Sequence, residues 1–371
     1  MKVRAKKATM TNRERMKALL RREKPDRVPF WAGAGSTSFA VIRNGGTIAD
    51  RYIAMHDTTR TGAHHRKMVY KAEKKACQEF DWVFAPTVFA MRVGGAFGGE
   101  VKLPTSKYSQ AQFVTKYAAD TPEEVMALKI PDVKACLTPE LLDFYQWVYQ
   151  DEDDNKPLVT FNALSVMNTA AGIAGYDNLC QWIIKHPEVA HRLIRLASDY
   201  LLAIAPYVKN TLGVNKIMPT GANAAASNQL ISPKHFEQFA LPYLKEVHEK
   251  VLAMGFRHLH THPCGEHNLN LPHWQQVPMG DPGIFYVGNE IDLETAAKYF
   301  PKDIIEGNLD TTIIQNGTPE EVYEASRKVI EQGKSLANGF ILAPACELPP
   351  LAPVENVTAI TRALNDFGWY D

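Results

Sequence analysis

The sequence lacks long hydrophobic runs and has no excess of charge of either sign. No apolar stretch approaches the ~18–20 residues that a helix needs to cross a bilayer, and 41 basic residues balance 41 acidic ones. The basic N-terminal stretch, residues 1–26, lacks the apolar segment of a secretory signal. We therefore expect neither a membrane nor a nucleic acid as a partner.

Cysteine is scarce as well. Only five of the 371 residues are cysteines, an odd number scattered along the chain. Disulfides are rare in reducing compartments, where isolated cysteines serve as buried thiols or as metal ligands. We therefore expect a cytoplasmic protein without a disulfide framework. The five positions are Cys77, Cys136, Cys180, Cys264 and Cys346.

What the sequence does contain, from residue 157 onward, is an alternation of short apolar segments and amphipathic helical patterns. This alternation predicts parallel βαβ units. Six candidate strands lie at 157–161, 215–220, 256–262, 284–289, 303–308 and 340–345. The earlier segments "VPFW" and "FDWVFA" raise the number to eight, which is the count of a (β/α)8 barrel.

We therefore predict an α/β fold, a TIM barrel that forms one domain over residues 1–371. Residues 1–80 would form an N-terminal helical extension and the first strand region. The competing architecture is an open, doubly wound sheet. It lacks its usual support here, because no G-x-G-x-x-G follows a strand, and "GGAFGG" has a different spacing and no helix after it.

The segment "HLHTHPCG" places His258, His260, His262 and Cys264 at every second position. On a strand such side chains share one face but stand ~6.6 Å apart, so the four cannot reach one ion. The last two can converge, because "PCG" breaks the strand, and the carboxyl ends of barrel strands carry active sites. A His-x-Cys pair suits zinc, although such a pair also occurs for structural or incidental reasons.

A third ligand is available in Cys346, which also follows an apolar strand, in "FILAPAC". The other three cysteines lie in helical patterns and are typical of small buried residues. One imidazole and two thiolates leave zinc an open fourth position, as in catalytic rather than structural sites. Such a zinc can hold a thiol as its anion or polarise an ether oxygen.

Five segments together resemble the uroporphyrinogen decarboxylase superfamily, and more closely its zinc-dependent corrinoid methyltransferase branch, which includes the methylcobalamin:coenzyme M methyltransferases. They are "RERMKALLRREKPDRVP", "LISPKHFEQFALPYLKEV", "HPCG", "IEGNLDTTIIQNGTPEEV" and "FILAPACELPPLAPVENVTAI". The resemblance implies a (β/α)8 barrel with an N-terminal helical extension. It also implies that zinc is held by His262, Cys264 and Cys346, the three residues that would be both metal ligands and catalytic groups.

The resemblance also separates the branches. Decarboxylases of this superfamily have an arginine-rich segment after "RVP" that grips a substrate with many carboxylates. The corresponding segment here, "FWAGAGSTSFAVIRNGG", contains a single arginine, Arg43. Because eight carboxylates need several fixed cations, this segment argues against decarboxylation.

The methyltransferase branch moves a methyl group between cobalamin and a small molecule. This chain contains no D-x-H-x-x-G corrinoid-binding motif, so the resemblance implies cobalamin carried on a separate corrinoid protein. The small molecule would be a thiol acceptor or a methyl donor such as a methoxylated aromatic, which would make the reaction an O-demethylation.

Several further residues are candidates for the site. Glu290 in "GNEID" follows a strand and could be a fourth zinc ligand, a base, or a helix-capping acid. His260 could fix the tautomer of His262 or simply line the pocket. Substrate-binding candidates are Asn223, His260, Asn308 and Asp310.

Two other functions stay open from the sequence. One is a metal-free decarboxylase of a tetrapyrrole or a smaller acid. The other is a non-catalytic binding protein that keeps the barrel and the zinc.

Overall fold

The computed structural model describes residues 8–33, 36–57, 60–85, 96–105, 113–136, 138–150, 159–215 and 217–371. In these ranges a parallel six-stranded sheet is accompanied by helices and one small hairpin. The hairpin pairs β1 (Glu100–Lys102) with β2 (Phe113–Lys116). The sheet strands are β3 (Val159–Asn162), β4 (Ile217–Ala222), β5 (His260–His262), β6 (Ile284–Tyr286), β7 (Ile304–Leu309) and β8 (Phe340–Pro344).

The helices of the first half of the chain are α1 (Asn12–Leu20), α2 (Ser36–Arg43), α3 (Ile48–His56), α4 (Arg60–Phe80), α5 (Pro122–Ala127), α6 (Val133–Cys136), α7 (Pro139–Gln150), α8 (Val166–Ala174) and α9 (Tyr176–Lys185). Those of the second half are α10 (Pro187–Leu212), α11 (Pro233–His235), α12 (Leu241–Ala253), α13 (Leu271–Trp274), α14 (Leu293–Tyr299), α15 (Thr311–Asn316), α16 (Pro319–Lys334) and α17 (Val354–Phe367). A π-helical turn, Phe236–Ala240, joins α11 to α12. None of the helices in the described ranges is long and apolar enough to span a membrane.

The six later strands lie where the sequence predicts them, in the order β3-β4-β5-β6-β7-β8, and every pairing is parallel. The strand at 256–262 is shorter than predicted, since only its last three residues pair regularly. Sequential order with parallel pairing requires a crossover between successive strands, and the helices supply it. The prediction of alternating strands and helices is thus confirmed.

The two earlier candidate strands continue this sheet beyond β8. The main chain of Trp31 donates to the carbonyl of Leu342 (2.9 Å), and Leu342 donates back to Pro29 (3.0 Å). Val83 in turn donates to the carbonyl of Phe30 (2.7 Å). "VPFW" therefore lies beside β8, and "FDWVFA" lies beside "VPFW".

The sheet curves round a packed interior. One buried cluster combines Val83, from one end of the strand order, with Met218 of β4, near the other end. Side chains from both ends of the order can meet only if the sheet bends toward closure, as in a barrel. The predicted α/β barrel is therefore confirmed. The remaining members of the cluster are Met16, Leu19, Trp31, Ile284, Ile304 and Ile341.

The N-terminal region divides around the first strand segment. Helix α1 precedes it and contributes Met16 and Leu19 to the barrel interior. A capping box at Thr11 and Glu14 begins this helix, as "TNRE" suggests. Helices α2, α3 and α4 follow the segment and lead to "FDWVFA". These helices therefore stand beside the side of the barrel that holds β8.

Candidate functional site

The tips of β5 and β8 bring together the three predicted metal ligands. The ligand atoms of His262, Cys264 and Cys346 all lie within 4.8 Å of one another. The two sulfur atoms are 3.6 Å apart. Within the described ranges, no other three histidine, cysteine or acidic side chains gather so closely. The geometry arises because β5 and β8 both end at the same face of the barrel.

His262 is oriented by the main chain of the neighbouring strand. Its Nδ1 lies 2.9 Å from the carbonyl oxygen of Tyr286. A carbonyl only accepts, so Nδ1 carries the proton and Nε2 presents a lone pair. Nε2 is buried and has no hydrogen-bond partner. A buried nitrogen without a partner, beside two thiols, fits a metal ligand whose other nitrogen is fixed by a carbonyl.

The two thiols polarise each other. A hydrogen bond from Cys264 and the neighbouring His262 together hold the pKa of Cys346 well below its usual range, although burial opposes both. The hydrogen bond to Cys346 and burial raise the pKa of Cys264 well above its usual range. Burial lowers the pKa of His262, but the contact with Cys346 outweighs it and the pKa is raised. The pair therefore holds one proton, and a divalent cation would replace it to bind both sulfurs as thiolates.

Tyr286, which sequence reasoning missed, contacts both sides of this site. Its ring stacks on the imidazole of His262 with 4.1 Å between the ring centroids. Its hydroxyl lies 2.6 Å from the carbonyl oxygens of both Pro344 and Cys346. The only sequence signal is a polar-tipped aromatic residue at the end of the apolar strand "IFY".

A layer below the three candidate ligands, His260 meets a buried carboxylate. Its Nε2 lies 3.0 Å from Oε2 of Glu306 on β7, and the glutamate is fully buried. The His260 ring packs on Trp31 at 4.6 Å. The tautomer of His262 is thus fixed by the Tyr286 carbonyl, and His260 is paired elsewhere. Glu306 was not among the predicted residues, although it lies in the quoted "IEGNL" segment.

The amide of Asn223 holds two loops together. Its Oδ1 accepts from the main chain of Met167 (3.1 Å), and its Nδ2 donates to Leu164 (3.1 Å). Its own main-chain N–H donates to the carbonyl of His262 (3.1 Å). Asn223 therefore ties the loops after β3 and β4 to the end of β5.

Asn308 and Asp310 likewise bind main-chain groups. Asn308 donates to the carbonyl of Ile291 (2.8 Å), in the loop after β6. Asp310 caps α15, where its carboxylate accepts from the main chain of Thr312 (2.7 Å). The structure places both at the carboxyl ends of the strands, with their polar atoms engaged in loop structure.

Glu290 follows the end of β6, is exposed, and lies outside the three-residue cluster. A Cβ atom built on Gly288 would stand 2.4 Å from its Oε2, so the carboxylate occupies the space that this glycine leaves. Its charge contributes to the raised pKa of Cys264. The capping alternative is wrong, since Asp292 caps the following helix, accepting from the main chain of Thr295 (2.9 Å).

An ion pair holds the residue after Cys346. Arg51 of α3 donates to both carboxylate oxygens of Glu347, at 3.1 and 2.8 Å, and to Ser38 at 2.9 Å. The sequence could not reveal this pair, because 296 positions separate its members. The loop that carries Cys346 is therefore tied to the N-terminal helices.

A second histidine, His267, supports the loop that carries Cys264. Its Nδ1 accepts from the indole N–H of Trp274 (3.1 Å) and lies 3.2 Å from the amide nitrogen of Asn270. Burial lowers the pKa of His267 to about 3. This histidine therefore stays neutral and acts as a fixed hydrogen-bond partner under the loop.

Comparison with known proteins identifies the family that this chain resembles. The uroporphyrinogen decarboxylase (URO-D) family model matches residues 11–367. A solved structure, a methyltransferase from Methanosarcina mazei, superposes with a TM-score of 0.73 at 18% identity, over 96% of this chain and 99% of that one. That likeness shows the fold.

Curated relatives include both branches. The chain is 29% identical over 206 residues to a methylated-thiol–coenzyme M methyltransferase from Methanosarcina mazei, covering 53% of this chain and 50% of the relative. It is 30% identical over 182 residues to a methylcobamide:CoM methyltransferase from Methanosarcina acetivorans, covering 48% and 50%. A uroporphyrinogen decarboxylase from Anaeromyxobacter sp. is 24% identical over 257 residues, covering 67% and 69%.

The matched region spans about half the length of the two methyltransferases. The His-x-Cys pair and the distant cysteine that the sequence predicts as metal ligands lie together in the structure. Since the family model matches nearly the whole chain, the protein belongs to the uroporphyrinogen decarboxylase family.

Proposed function

We propose that this protein is a zinc-dependent methyltransferase that moves a methyl group between a corrinoid protein and a small substrate. The observation that carries the proposal is the cluster of His262, Cys264 and Cys346 at the carboxyl face of the barrel. The buried, unpartnered Nε2 of His262 and the paired sulfurs fit a metal better than they fit a hydrogen-bonded apolar core.

The donor set matches zinc in number and in kind. One imidazole and two thiolates are borderline-soft ligands, and three protein donors leave a fourth position for substrate. Zinc bound there would hold a substrate thiol as its anion, or would withdraw electrons from an ether oxygen.

The chain's own residues would orient the metal ligands and balance the charge at the site. The Tyr286 carbonyl keeps the proton on Nδ1 of His262, so Nε2 faces the thiols. Cys264 and Cys346 hold one proton between them and release it when the site is loaded. Glu290, whose charge acts on Cys264, would serve as a fourth donor or would take the proton of a substrate thiol.

Substrate contact is proposed for His260, which lies in the layer beneath the ligands. Asn223, Asn308 and Asp310 engage main-chain groups of the surrounding loops, so their contact with substrate stays a prediction. Methyl transfer is a displacement at carbon. The protein therefore contributes mainly positioning and charge stabilisation.

The proposed partners are a corrinoid protein and a small molecule. The sequence has no corrinoid-binding motif of its own, and one relative is named for methylcobamide and CoM. The corrinoid protein would dock over the carboxyl face of the barrel, where the ligands lie. The small molecule would be a thiol acceptor in one direction, or a methyl donor such as a methoxylated aromatic in the other.

Zinc content tests the metal. We expect purified wild-type protein to hold about one equivalent of zinc, as a three-ligand site does. Cys346→Ser should lose most of it, whereas Cys180→Ser, on α9, should keep the wild-type content. Less than about half an equivalent in the wild type, or full retention in Cys346→Ser, would contradict the assignment.

Cobalt absorption tests the reaction. Wild-type protein should accelerate the loss of the methylcobalamin spectrum in the presence of coenzyme M, or the methylation of cob(I)alamin by a methoxylated aromatic. Cys346→Ser should do neither. No change with either mixture would favour a binding protein.

The decarboxylase relative calls for one direct comparison, in which the protein is incubated with uroporphyrinogen. The structure gives a reason to expect no product. Arg43, the single arginine of residues 30–46, is paired with Glu79 and so is not a free cation for a carboxylate. Formation of a decarboxylated porphyrinogen would overturn the methyltransferase assignment.

A further inference from the structure

Tyr286 contacts two of the proposed zinc ligands through three different groups, its main-chain carbonyl, its ring and its hydroxyl. Its main-chain carbonyl accepts from Nδ1 of His262 at 2.9 Å. Its ring stacks on the same imidazole, with the planes inclined by 23°. Its hydroxyl reaches the carbonyl oxygens of Cys346 and Pro344, each at 2.6 Å.

These contacts join strands that are not neighbours. Tyr286 ends β6, which pairs with β5 on one side, whereas β8 lies two strands away on the other. The hydroxyl therefore links the β5 side of the site to the β8 side. Gly33 lies next to both groups, since a Cβ built on it would stand at ordinary contact distance, 3.5 Å from the hydroxyl and 3.4 Å from the Cys346 carbonyl.

A stack of rings, formed by Tyr286, His260 and Trp31, restrains the tyrosine further. Beneath it, His260 lies 5.7 Å from the Tyr286 ring and 4.6 Å from Trp31. Tyr286 is 5% exposed, so its hydroxyl has no bulk water to replace the two carbonyls. Loss of the hydroxyl would leave buried carbonyls with fewer donors and free the Cys346 main chain to move.

We propose that Tyr286 is a positioning residue that sets the separation of His262 and Cys346 before metal binds. The inference rests on the proposed metal centre and deepens it. The carbonyl and ring fix the imidazole, and the hydroxyl fixes the main chain of the cysteine. Residues that hold metal ligands in this way typically contribute about 10–100-fold to metal affinity.

Tyr286→Phe separates the hydroxyl from the ring and the carbonyl. The variant keeps the stacking on His262 and the acceptor for Nδ1, so the barrel should fold. We expect zinc affinity, measured by competition with a chelator, to fall by about 10–100-fold. With Co²⁺ in place of zinc, the visible d–d bands and the thiolate charge-transfer bands should change in position or intensity.

Tyr243→Phe is the matched control. Its hydroxyl donates to a main-chain carbonyl, that of His191 at 3.2 Å, and the residue is buried on α12 away from the site. Both variants should lower the melting temperature of the metal-free protein by similar amounts. Only Tyr286→Phe should alter zinc affinity and the Co²⁺ spectrum.

Wild-type affinity and a wild-type Co²⁺ spectrum in Tyr286→Phe would overturn the inference, whatever its activity. Equal effects of both variants on metal binding would overturn it too, since they would show a general loss of stability. A wild-type protein that binds no metal would instead refute the proposed function. The two failures are therefore distinguishable.

Discussion

The two nitrogens of His262 illustrate how single residues acquire their roles in this protein. One nitrogen is satisfied by a carbonyl of the next strand, and the other is buried without a partner. The residue type alone gives neither role, because a histidine on a strand is compatible with packing, pairing or ligation. The difference comes from what the barrel places beside each nitrogen.

Glu73 provides a prediction at this scale, away from the metal site. It is buried on α4, and its carboxylate accepts a hydrogen bond from Thr37. Burial raises the pKa of Glu73 to about 7, from an ordinary value of 4.5. The folded protein therefore holds a proton that the unfolded chain releases above about pH 4.5, so this residue makes stability fall as pH rises from about 4.5 to 7.

Glu73→Gln should remove that fall, because the amide stays neutral and keeps an acceptor for Thr37. We expect a gain of about 1–3 kcal/mol in the free energy of unfolding at pH 8, and little change at pH 4.5. Urea denaturation at several pH values measures both. Glu79→Gln is the contrasting variant, because Arg43 lowers the pKa of the Glu79 carboxyl, whereas burial raises that of Glu73. A wild-type slope in Glu73→Gln would refute the account.

At the residue scale, the sequence was sufficient to predict that the three proposed ligands lie together, and insufficient for the residues that support them. His262 ends β5, Cys264 lies two residues beyond it, and Cys346 lies two residues beyond β8, so a barrel prediction already places them on one face. Tyr286 and Glu306 lie inside strands, where an inward or outward orientation decides their role. That orientation depends on register with neighbouring strands, which the sequence does not specify for short strands.

At the scale of elements, the loop after β8 is held from two sides. The Tyr286 hydroxyl binds its beginning, and Arg51 of α3 binds Glu347. Helix α3 thus contacts the loop that carries Cys346, although it precedes most of the barrel strands in the chain. The predicted helical extension is therefore in contact with the site, a consequence that strand counting alone does not provide.

A double-mutant cycle on Arg51 and Glu347 tests this link. The arginine side chain is 4% exposed and the glutamate 37%, so solvent screens the pair only in part. We expect Arg51→Met and Glu347→Gln to show a coupling energy of about 1–3 kcal/mol in urea denaturation, because each single change leaves a polar partner poorly solvated.

The exposed pair Arg362–Glu320 supplies the reference cycle. Its side chains are 50% and 76% exposed, and the expected coupling is below about 0.5 kcal/mol. Similar coupling in the two cycles would mean that the Arg51–Glu347 pair does not fasten the loop.

Elements themselves were largely predictable, and their ends less so. "TPEEV" predicts the start of α16, and the structure shows a capping box at Thr318 and Glu321. Gly255 follows the end of α12 with φ +100°, as a helix stop requires. The strand at 256–262 is shorter than predicted, because only His260–His262 form a regular strand, whereas His258 forms an isolated antiparallel bridge to Gly280.

At the scale of the whole molecule, the apolar interior of the barrel does not include the three proposed metal ligands. The interior cluster contains apolar side chains and two residues of α1, and it includes none of the three ligands. The fold therefore does not depend on metal for its hydrophobic burial, unlike small zinc domains. The number of strands could be predicted from the sequence. The way in which the sheet closes is seen only in the structure, where "VPFW" pairs with β8.

Chelation tests this separation. We expect metal-free protein to keep its far-ultraviolet circular dichroism and a cooperative melt, with a lower melting temperature, because a ligand that binds only the folded state adds stability according to its free concentration. Added zinc should restore the temperature in the wild type and not in Cys346→Ser. Unfolding on chelation would refute the separation.

The absence of a side chain at Gly288 determines the effect of substitutions at this position and at Glu290. A methyl group there would stand 2.4 Å from the carboxylate of Glu290, so Gly288→Ala would push that carboxylate away while its charge remains. Glu290→Gln would do the reverse, removing the charge and leaving the space unchanged. The two substitutions together separate the position of the Glu290 carboxylate from its charge, and neither changes His262, Cys264 or Cys346.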